Sequence, residues 1–126
     1  MSKKIKITAG DVSMESELND SKTAEMIWNA LPIDERGNTW GDEIYFDIPV
    51  EADPEPDARA DVAVGELGYW PPGSAFCIFF GPTPASSGDQ PRAASPVNIL
   101  GNVIGDSTAF RAVRSGAKVT LIREPN

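Results

Sequence analysis

DVAVGELGYWPPGSAFCIFFGPTP, residues Asp61 to Pro84, concentrates large apolar side chains. Two apolar runs, 62–69 and 75–80, flank the segment 70–74, whose proline and glycine residues are typical of a turn. β-Branched and aromatic residues dominate both runs, and the second run alternates with a period of two. The stretch therefore predicts two paired strands, the second of them central and covered on both faces.

Upstream of this hairpin, residues 4–8 and 12–18 alternate and are joined by a short turn, which predicts an opening hairpin. Three helix-capping residues, 19–21, precede apolar residues at helical spacing, and Pro32 follows them. This pattern predicts one main α-helix over about residues 21–31. Residues 33–38 are polar with a turn signal, and residues 40–50 alternate as a half-exposed strand.

Downstream segments complete the predicted organisation. Residues 51–60 are acidic and proline-rich, which indicates a solvated connection, and residues 82–96 are of low complexity, which indicates a mobile loop. Short strands are predicted within 97–104, 110–113 and 118–122. One helix with several short strands predicts a mainly β single domain over residues 1–126. A closed or nearly closed antiparallel barrel is favoured because closure removes exposed edges, and a β-sandwich is the alternative.

Composition excludes several function classes. The net charge of -8, with 19 acidic and 11 basic residues, argues against nucleic acid or an anionic membrane as partner. Cys77, the single cysteine, lies inside an apolar run, which predicts a buried thiol. With one cysteine and no histidine, an internal disulfide and a cysteine–histidine nucleophile are excluded. A metal would therefore have to be bound by oxygen ligands alone, and the acidic stretch that could supply them lacks a known calcium-loop spacing. We expect no metal site and no cofactor. No signal peptide or membrane span is predicted, which indicates a cytoplasmic protein.

Four aromatic residues flank the predicted strands: Trp40, Tyr45, Tyr69 and Trp70. Beside the stiff Pro71-Pro72 turn, they are candidates for a cleft that binds a small ligand or an extended peptide. Packing in the core is the alternative role for aromatic residues at these positions.

Polar residues within apolar runs give further candidates. Glu66 follows Gly65, where a β-bulge could aim its carboxylate outward or into a cleft. Asn102 interrupts an apolar run and needs hydrogen-bond partners if it is buried. Both are therefore candidate ligand contacts. Glu43, Asp47 and Glu66 could also supply a carboxylate pair for acid–base chemistry, because Glu43 and Asp47 lie on one side of their strand. Solvent-facing charges explain those two residues equally well.

Four segments in this order resemble the small prokaryotic cyclophilin-like proteins of uncharacterised function. They are LNDSKTAEMIWNALP (18–32), WGDEIYFDIPV (40–50), VAVGELGYWPPGSAFCIFFGPTP (62–84) and NILGNVIGD (98–106). The resemblance extends from about Ile5 to Ile122. It implies an eight-stranded antiparallel cyclophilin-like barrel with a reduced helix complement, the fold of the peptidyl-prolyl isomerases.

Authentic cyclophilins isomerise prolyl bonds with an arginine, a glutamine and histidines beside an apolar pocket. Here the strand 40–50 carries acids in place of that arginine, and the single glutamine, Gln90, lies in the low-complexity segment. No residue matches the isomerase motif, so the catalytic residues are unknown and enzymatic activity stays open. We therefore expect a binding protein. A divergent isomerase using Arg111 or Arg114 is one alternative, and a module of an assembly, with a still undetermined oligomeric state, is another.

Overall fold

A computed structural model describes residues 3–124. The ends of the predicted domain, residues 1–2 and 125–126, lie outside the described residues. The elements are, in chain order, β1 (Lys3–Ala9), β2 (Val12–Leu18), α1 (Lys22–Ala30), β3 (Ile33–Arg36), β4 (Asn38–Thr39), β5 (Glu43–Asp47), β6 (Arg59–Asp61), β7 (Glu66–Trp70), β8 (Ala75–Phe79), β9 (Arg92–Val103) and β10 (Lys118–Arg123), with 3-10 helices at Pro71–Gly73 and Ser107–Ala112.

The central hairpin forms as predicted, from β7 and β8 around the 3-10 turn. Tyr69 pairs with Phe76 and Leu67 with Ile78, and β8 lies between β7 and β5 with all five of its residues buried. The first strand begins later than predicted, because a turn precedes it: Gly65 has a φ of 95° and the Glu66 N–H donates to the Ala63 carbonyl. The peptide bonds before Pro71 and Pro72 are trans, and Leu31–Pro32 is cis.

One antiparallel sheet organises the chain. Its strand order is β3-β10-β1-β2-β9-β7-β8-β5-β4, with β6 paired to β9 outside that path. The mainly β prediction with one α-helix is therefore confirmed. The eight-stranded closed barrel differs in detail: residues 3–124 form ten strands, and within them no ladder joins β3 to β5. Residues of both strands, with Pro32 and Pro49, line a groove at this seam, and proline lacks the N–H that would extend a ladder.

The sheet has apolar residues on two faces, each covered by its own core. The larger core, on what we call the inner face, includes Ile5, Ile7, Leu18, Ile27, Ile44, Phe46, Leu67, Tyr69, Phe76, Ile78, Phe80, Leu100, Phe110, Val119 and Leu121. The smaller core, on the outer face, consists of Val62, Ala75, Cys77, Phe79, Ala93 and Val97. Phe76 and Ile78 alternate with Cys77 and Phe79, so β8 contributes to both cores, as its sequence predicted.

β9 builds the outer core by changing its partner along its length. Residues 98–102 pair with β7, whereas residues 92–97 pair with β6. The first half of β9 thus covers the outer face. Gly68 of β7 permits this approach, because a Cβ there would lie 2.8 Å from Cγ2 of Val97 and 3.3 Å from Cε2 of Phe79.

The predicted helix is confirmed as α1. Ser21 caps it by accepting a hydrogen bond from the Ala24 N–H at 3.2 Å, and Ala24 and Ile27 are buried against the inner core. Trp28 is half-buried beside that core, with the Arg123 guanidinium 5.1 Å from its ring centroid. Trp28 therefore covers one end of the core. Within residues 3–124, neither α1 nor either 3-10 helix has the length and apolarity needed to cross a membrane.

Three segments differ from their predicted structure. Residues 33–38 form β3 and the first residue of β4, and residues 110–113 belong mainly to a 3-10 helix in place of a strand. The predicted mobile loop 82–96 is wrong at its end, where residues 92–96 begin β9. Ala93 is buried in the outer core, and the Thr83 hydroxyl donates to the Arg92 carbonyl at 2.5 Å. Low-complexity composition therefore does not exclude a strand here.

The acidic connection 51–60 is mostly exposed, as predicted, and a buried asparagine holds it to the rest of the fold. Asn98 Nδ2 donates to the Asp53 carbonyl and to the Thr23 hydroxyl, each at 3.0 Å. Its Oδ1 accepts from the Glu55 N–H at 2.8 Å, and the Glu55 carboxylate accepts from Thr23 in α1. Helix, connection and β9 are thus joined by one hydrogen-bond network.

Candidate functional site

A cavity of about 250 Å³ lies between the outer face of β5 and β8 and the first half of β9. We call it the aromatic cavity. It is lined by Trp40, Glu43, Tyr45, Trp70, Ala75, Cys77, Ala93, Ala94 and Val97. Strand alternation places these residues on one face, because Tyr45 pairs with Cys77 across the ladder and Glu43 precedes Tyr45 by two residues.

Three aromatic residues reach the cavity from different elements. Trp40 lies in the turn before β5, Tyr45 within β5 and Trp70 at the end of β7, and each is half-buried. The Trp70 ring is fixed from two sides: its Nε1–H donates to Ser95 Oγ at 2.7 Å, and a Cβ at Gly73 would lie 2.9 Å from the ring. The Trp70 ring is therefore positioned by the fold before any ligand arrives.

Glu43 is the ionisable group of special interest in this cavity. Only 5% of the residue is exposed, so of the two roles that its position allowed, that of a solvent-facing charge is wrong. The first half of β9 lies across the cavity from this face of β5. Burial raises the pKa of the Glu43 carboxyl from 4.5 to about 7, and a hydrogen bond with Cys77 lowers it only in part. Near neutral pH both the protonated and the charged forms are therefore populated.

Cys77 lies beside Glu43 and is 2% exposed. Burial raises the pKa of its thiol well above the usual value, and the nearby Glu43 carboxylate raises it further. The thiolate is the nucleophilic form of cysteine. Cys77 therefore acts as a neutral hydrogen-bonding group, and the prediction of a buried thiol is confirmed.

The arginines lie away from the aromatic cavity. Among residues 3–124, those that line the cavity include no lysine or arginine. Arg111 Nε donates to Asp42 Oδ2 at 3.0 Å, and Arg114 is exposed. Neither alternative catalytic arginine reaches the cavity, so it holds no cationic donor of the kind that a cyclophilin directs at a prolyl nitrogen.

The structure brings together three of the six predicted site residues and separates the others. Trp40, Tyr45 and Trp70 line the aromatic cavity. Tyr69 faces the inner core, fully buried, and its hydroxyl donates to the Val50 carbonyl at 2.7 Å. Tyr69 points inward because it alternates with Trp70 along β7.

Glu66 and Asn102 lie opposite one another on β7 and β9 and line a separate, open groove. Both Glu66 oxygens accept from Arg59, at 2.9 and 2.8 Å, and Oε1 also accepts from the Ala63 N–H at 2.7 Å. Burial raises the pKa of Glu66, but these hydrogen bonds outweigh it and hold the pKa below the usual value. Asn102 is exposed. Glu66 is thus occupied by a structural ion pair.

Sequence reasoning missed four features of this cavity. The burial of Glu43, the lining role of Cys77, and the contributions of Ala93 and Val97 all depend on how β9 crosses the sheet. One signal was available for Glu43, since an alternating strand puts it on the same face as Tyr45. No comparable signal was available for Ala93, because the segment that contains it has the composition of a loop.

The described residues 3–124 contain no group of three or more histidine, cysteine, aspartate or glutamate side chains arranged to hold a metal ion. Acidic residues near the cavity are engaged or solitary: Asp42 pairs with Arg111, Asp61 with Arg92 at 2.6 Å, and Glu43 stands alone among the apolar walls. The site's chemistry is therefore that of a single carboxyl within an aromatic enclosure.

Comparisons with known proteins identify relatives of this chain. A family model described as cyclophilin-like matches residues 3–122. The solution structure of a hypothetical protein from Archaeoglobus fulgidus is similar, with a TM-score of 0.82 and 35% sequence identity, over 98% of this chain and 95% of that one. None of the curated proteins matches.

Proposed function

Because the chain belongs to the cyclophilin-like family, we propose that it is a binding protein that takes a small ligand, or one side chain of an extended peptide, into the aromatic cavity. The observation that carries the proposal is the joint placement of Trp40, Tyr45 and Trp70 around one buried carboxyl. Aromatic walls with a single orienting polar group are typical of small-ligand sites.

The size of the cavity limits the ligand. Ligand pockets commonly measure about 300–1,000 Å³, and this one measures about 250 Å³. A compact group therefore fits, either a small molecule or the end of one side chain, while the remainder of a peptide would lie across the rim near Ala94.

The polar groups favour binding over covalent chemistry. The Cys77 thiol is protonated, and Glu43 lacks a second carboxyl among the cavity-lining residues of the described chain. General acid–base catalysis on one substrate commonly uses two groups with separated pKa values. A single carboxyl in an apolar enclosure supplies recognition, by one hydrogen bond or one charge.

Tryptophan fluorescence tests the proposal with an internal control, since the chain has three tryptophans and two of them line the cavity. A fragment library is screened by thermal shift, and each hit is titrated against wild type, Trp40→Phe, Trp70→Phe and Trp28→Phe. We expect a hit to change the emission of wild type and of Trp28→Phe, and the change to shrink when Trp40 or Trp70 is replaced. Hits that act only through Trp28, or a screen without hits, would refute the proposal.

A further inference from the structure

Glu43 differs from the other sheltered carboxyl on the outer face. Glu66, with 17% of its side chain exposed, has Arg59 as a bidentate partner. Glu43 is more deeply buried, yet the cavity-lining residues of the described chain bring no cation to it. Buried charges in folded proteins are normally paired. The cavity therefore contains a potential anion without its counter-charge.

The walls around Glu43 suit a cation of a particular kind. Faces of tryptophan and tyrosine rings are electronegative and attract organic cations, especially ammonium groups carrying alkyl substituents. Trp40, Tyr45 and Trp70 supply three such rings in one cavity. The net charge of -8 adds a long-range field that concentrates cations near the surface.

Building on the proposed function, we infer that the aromatic cavity binds an alkylammonium head group, with Glu43 as its counter-charge and the rings of Trp40 and Trp70 against its alkyl substituents. Two sources share this chemistry: a free small amine, and the side chain of a lysine, methylated or not, in a peptide. Both present a compact cation that a cavity of about 250 Å³ accommodates.

A neutral ligand is the competing possibility, and pH separates the two. Charged Glu43 attracts a cation, whereas protonated Glu43 donates a hydrogen bond to a neutral acceptor. Since its pKa is about 7, cation affinity rises with pH through neutrality, and affinity for a neutral acceptor falls. The other titratable groups near Glu43 are Cys77 from β8, Tyr45 from β5 and Asp42, which Arg111 neutralises; the lining residues of β9 add none.

The test compares choline with its uncharged isostere, in which a quaternary carbon replaces the nitrogen. Binding is followed by calorimetry and by tryptophan emission, for wild type, Glu43→Gln and the control Asp47→Asn, an exposed residue on the same face of β5. We expect wild type and Asp47→Asn to prefer choline by about tenfold. Glu43→Gln should show a smaller preference, because only the ring faces then attract the cation, and choline affinity for wild type should rise between about pH 6 and pH 8.

Equal binding of choline and the isostere, a preference that is undiminished in Glu43→Gln, or affinity that falls with rising pH would overturn the inference while leaving a binding cavity. Absence of choline binding also overturns it, and the fragment screen then decides separately whether the cavity binds anything. A parallel titration with short peptides carrying lysine or trimethyl-lysine identifies the source. Peptide binding tighter than choline binding indicates a lysine side chain, and the reverse order indicates a free amine.

Discussion

Replacing Glu43 with glutamine should stabilise this protein at alkaline pH and leave it nearly unchanged at acidic pH. The carboxyl is 5% exposed, and burial raises its pKa from 4.5 to about 7. A raised pKa means that the folded state binds this proton more tightly than the unfolded state. Stability is therefore lost as pH rises from about 4.5 to about 7, and the full loss persists above that range.

The size of the effect follows from the difference between the two pKa values. At about 1.4 kcal/mol per pH unit, the step from 4.5 to about 7 costs wild type about 3 kcal/mol of folding free energy by pH 8. Glutamine has nearly the same shape as the protonated carboxyl but does not ionise. The variant should thus be more stable than wild type by up to about 3 kcal/mol at pH 8 and differ by less than about 1 kcal/mol at pH 4.

Urea unfolding from pH 4 to pH 9, followed by circular dichroism, measures the difference directly. Asp47→Asn is the matched control, because Asp47 lies on the same face of β5 but is exposed. Its stability difference from wild type should vary little with pH. A Glu43→Gln variant that is less stable than wild type at pH 8, or a difference that does not depend on pH, would show that Glu43 is not the isolated buried carboxyl described above.

Three further substitutions test other parts of the structure. Gly68→Ala should cost about 1–3 kcal/mol in urea unfolding, because its methyl group would lie 2.8 Å from Cγ2 of Val97 in β9. Gly88→Ala, which has open space around it, should change stability by less than about 0.5 kcal/mol. Equal effects of the two substitutions would contradict the packing of β9. Asn98→Ala should lower stability by about 2–4 kcal/mol in thermal unfolding through loss of three hydrogen bonds, and a cost under about 1 kcal/mol would contradict the network. Arg59→Ala should cost about 1 kcal/mol at pH 7, and the cost should shrink in acid as Glu66, whose pKa lies below its usual value, becomes protonated. A cost independent of pH would argue against this ion pair.

Predictions succeeded where the signal was local. The hairpins and α1 were correctly located, because alternation, turn residues and the Ser21 cap act over a few neighbouring positions. The predictions failed where they rested on composition alone, without knowledge of the contacts between distant segments. Residues 92–96 resembled a loop, yet they form a strand because β6 supplies a pairing partner and the outer face of β7 and β8 supplies a surface to cover.

The same distinction applies to the candidate site. Trp40, Tyr45 and Trp70 were identified from aromatic residues beside a stiff turn, and the structure places all three at one cavity. Tyr69 was grouped with them for the same reason, but alternation along β7 turns it to the inner core. The local sequence therefore identified the candidate residues, and the alternation of side chains along β7 decided which of its residues face the cavity.

The sequence by itself determined the strand periods, the helix ends and the two-sided apolar character of β8, since these depend on side-chain type and spacing. Only the tertiary structure decided that Glu43 is buried, that Cys77 lies beside it, and that its pKa lies near 7. The physical reason is that desolvation depends on what covers a group. Here the surroundings of Glu43 include the first half of β9, which lies far from Glu43 along the chain and lines the same cavity only through folding.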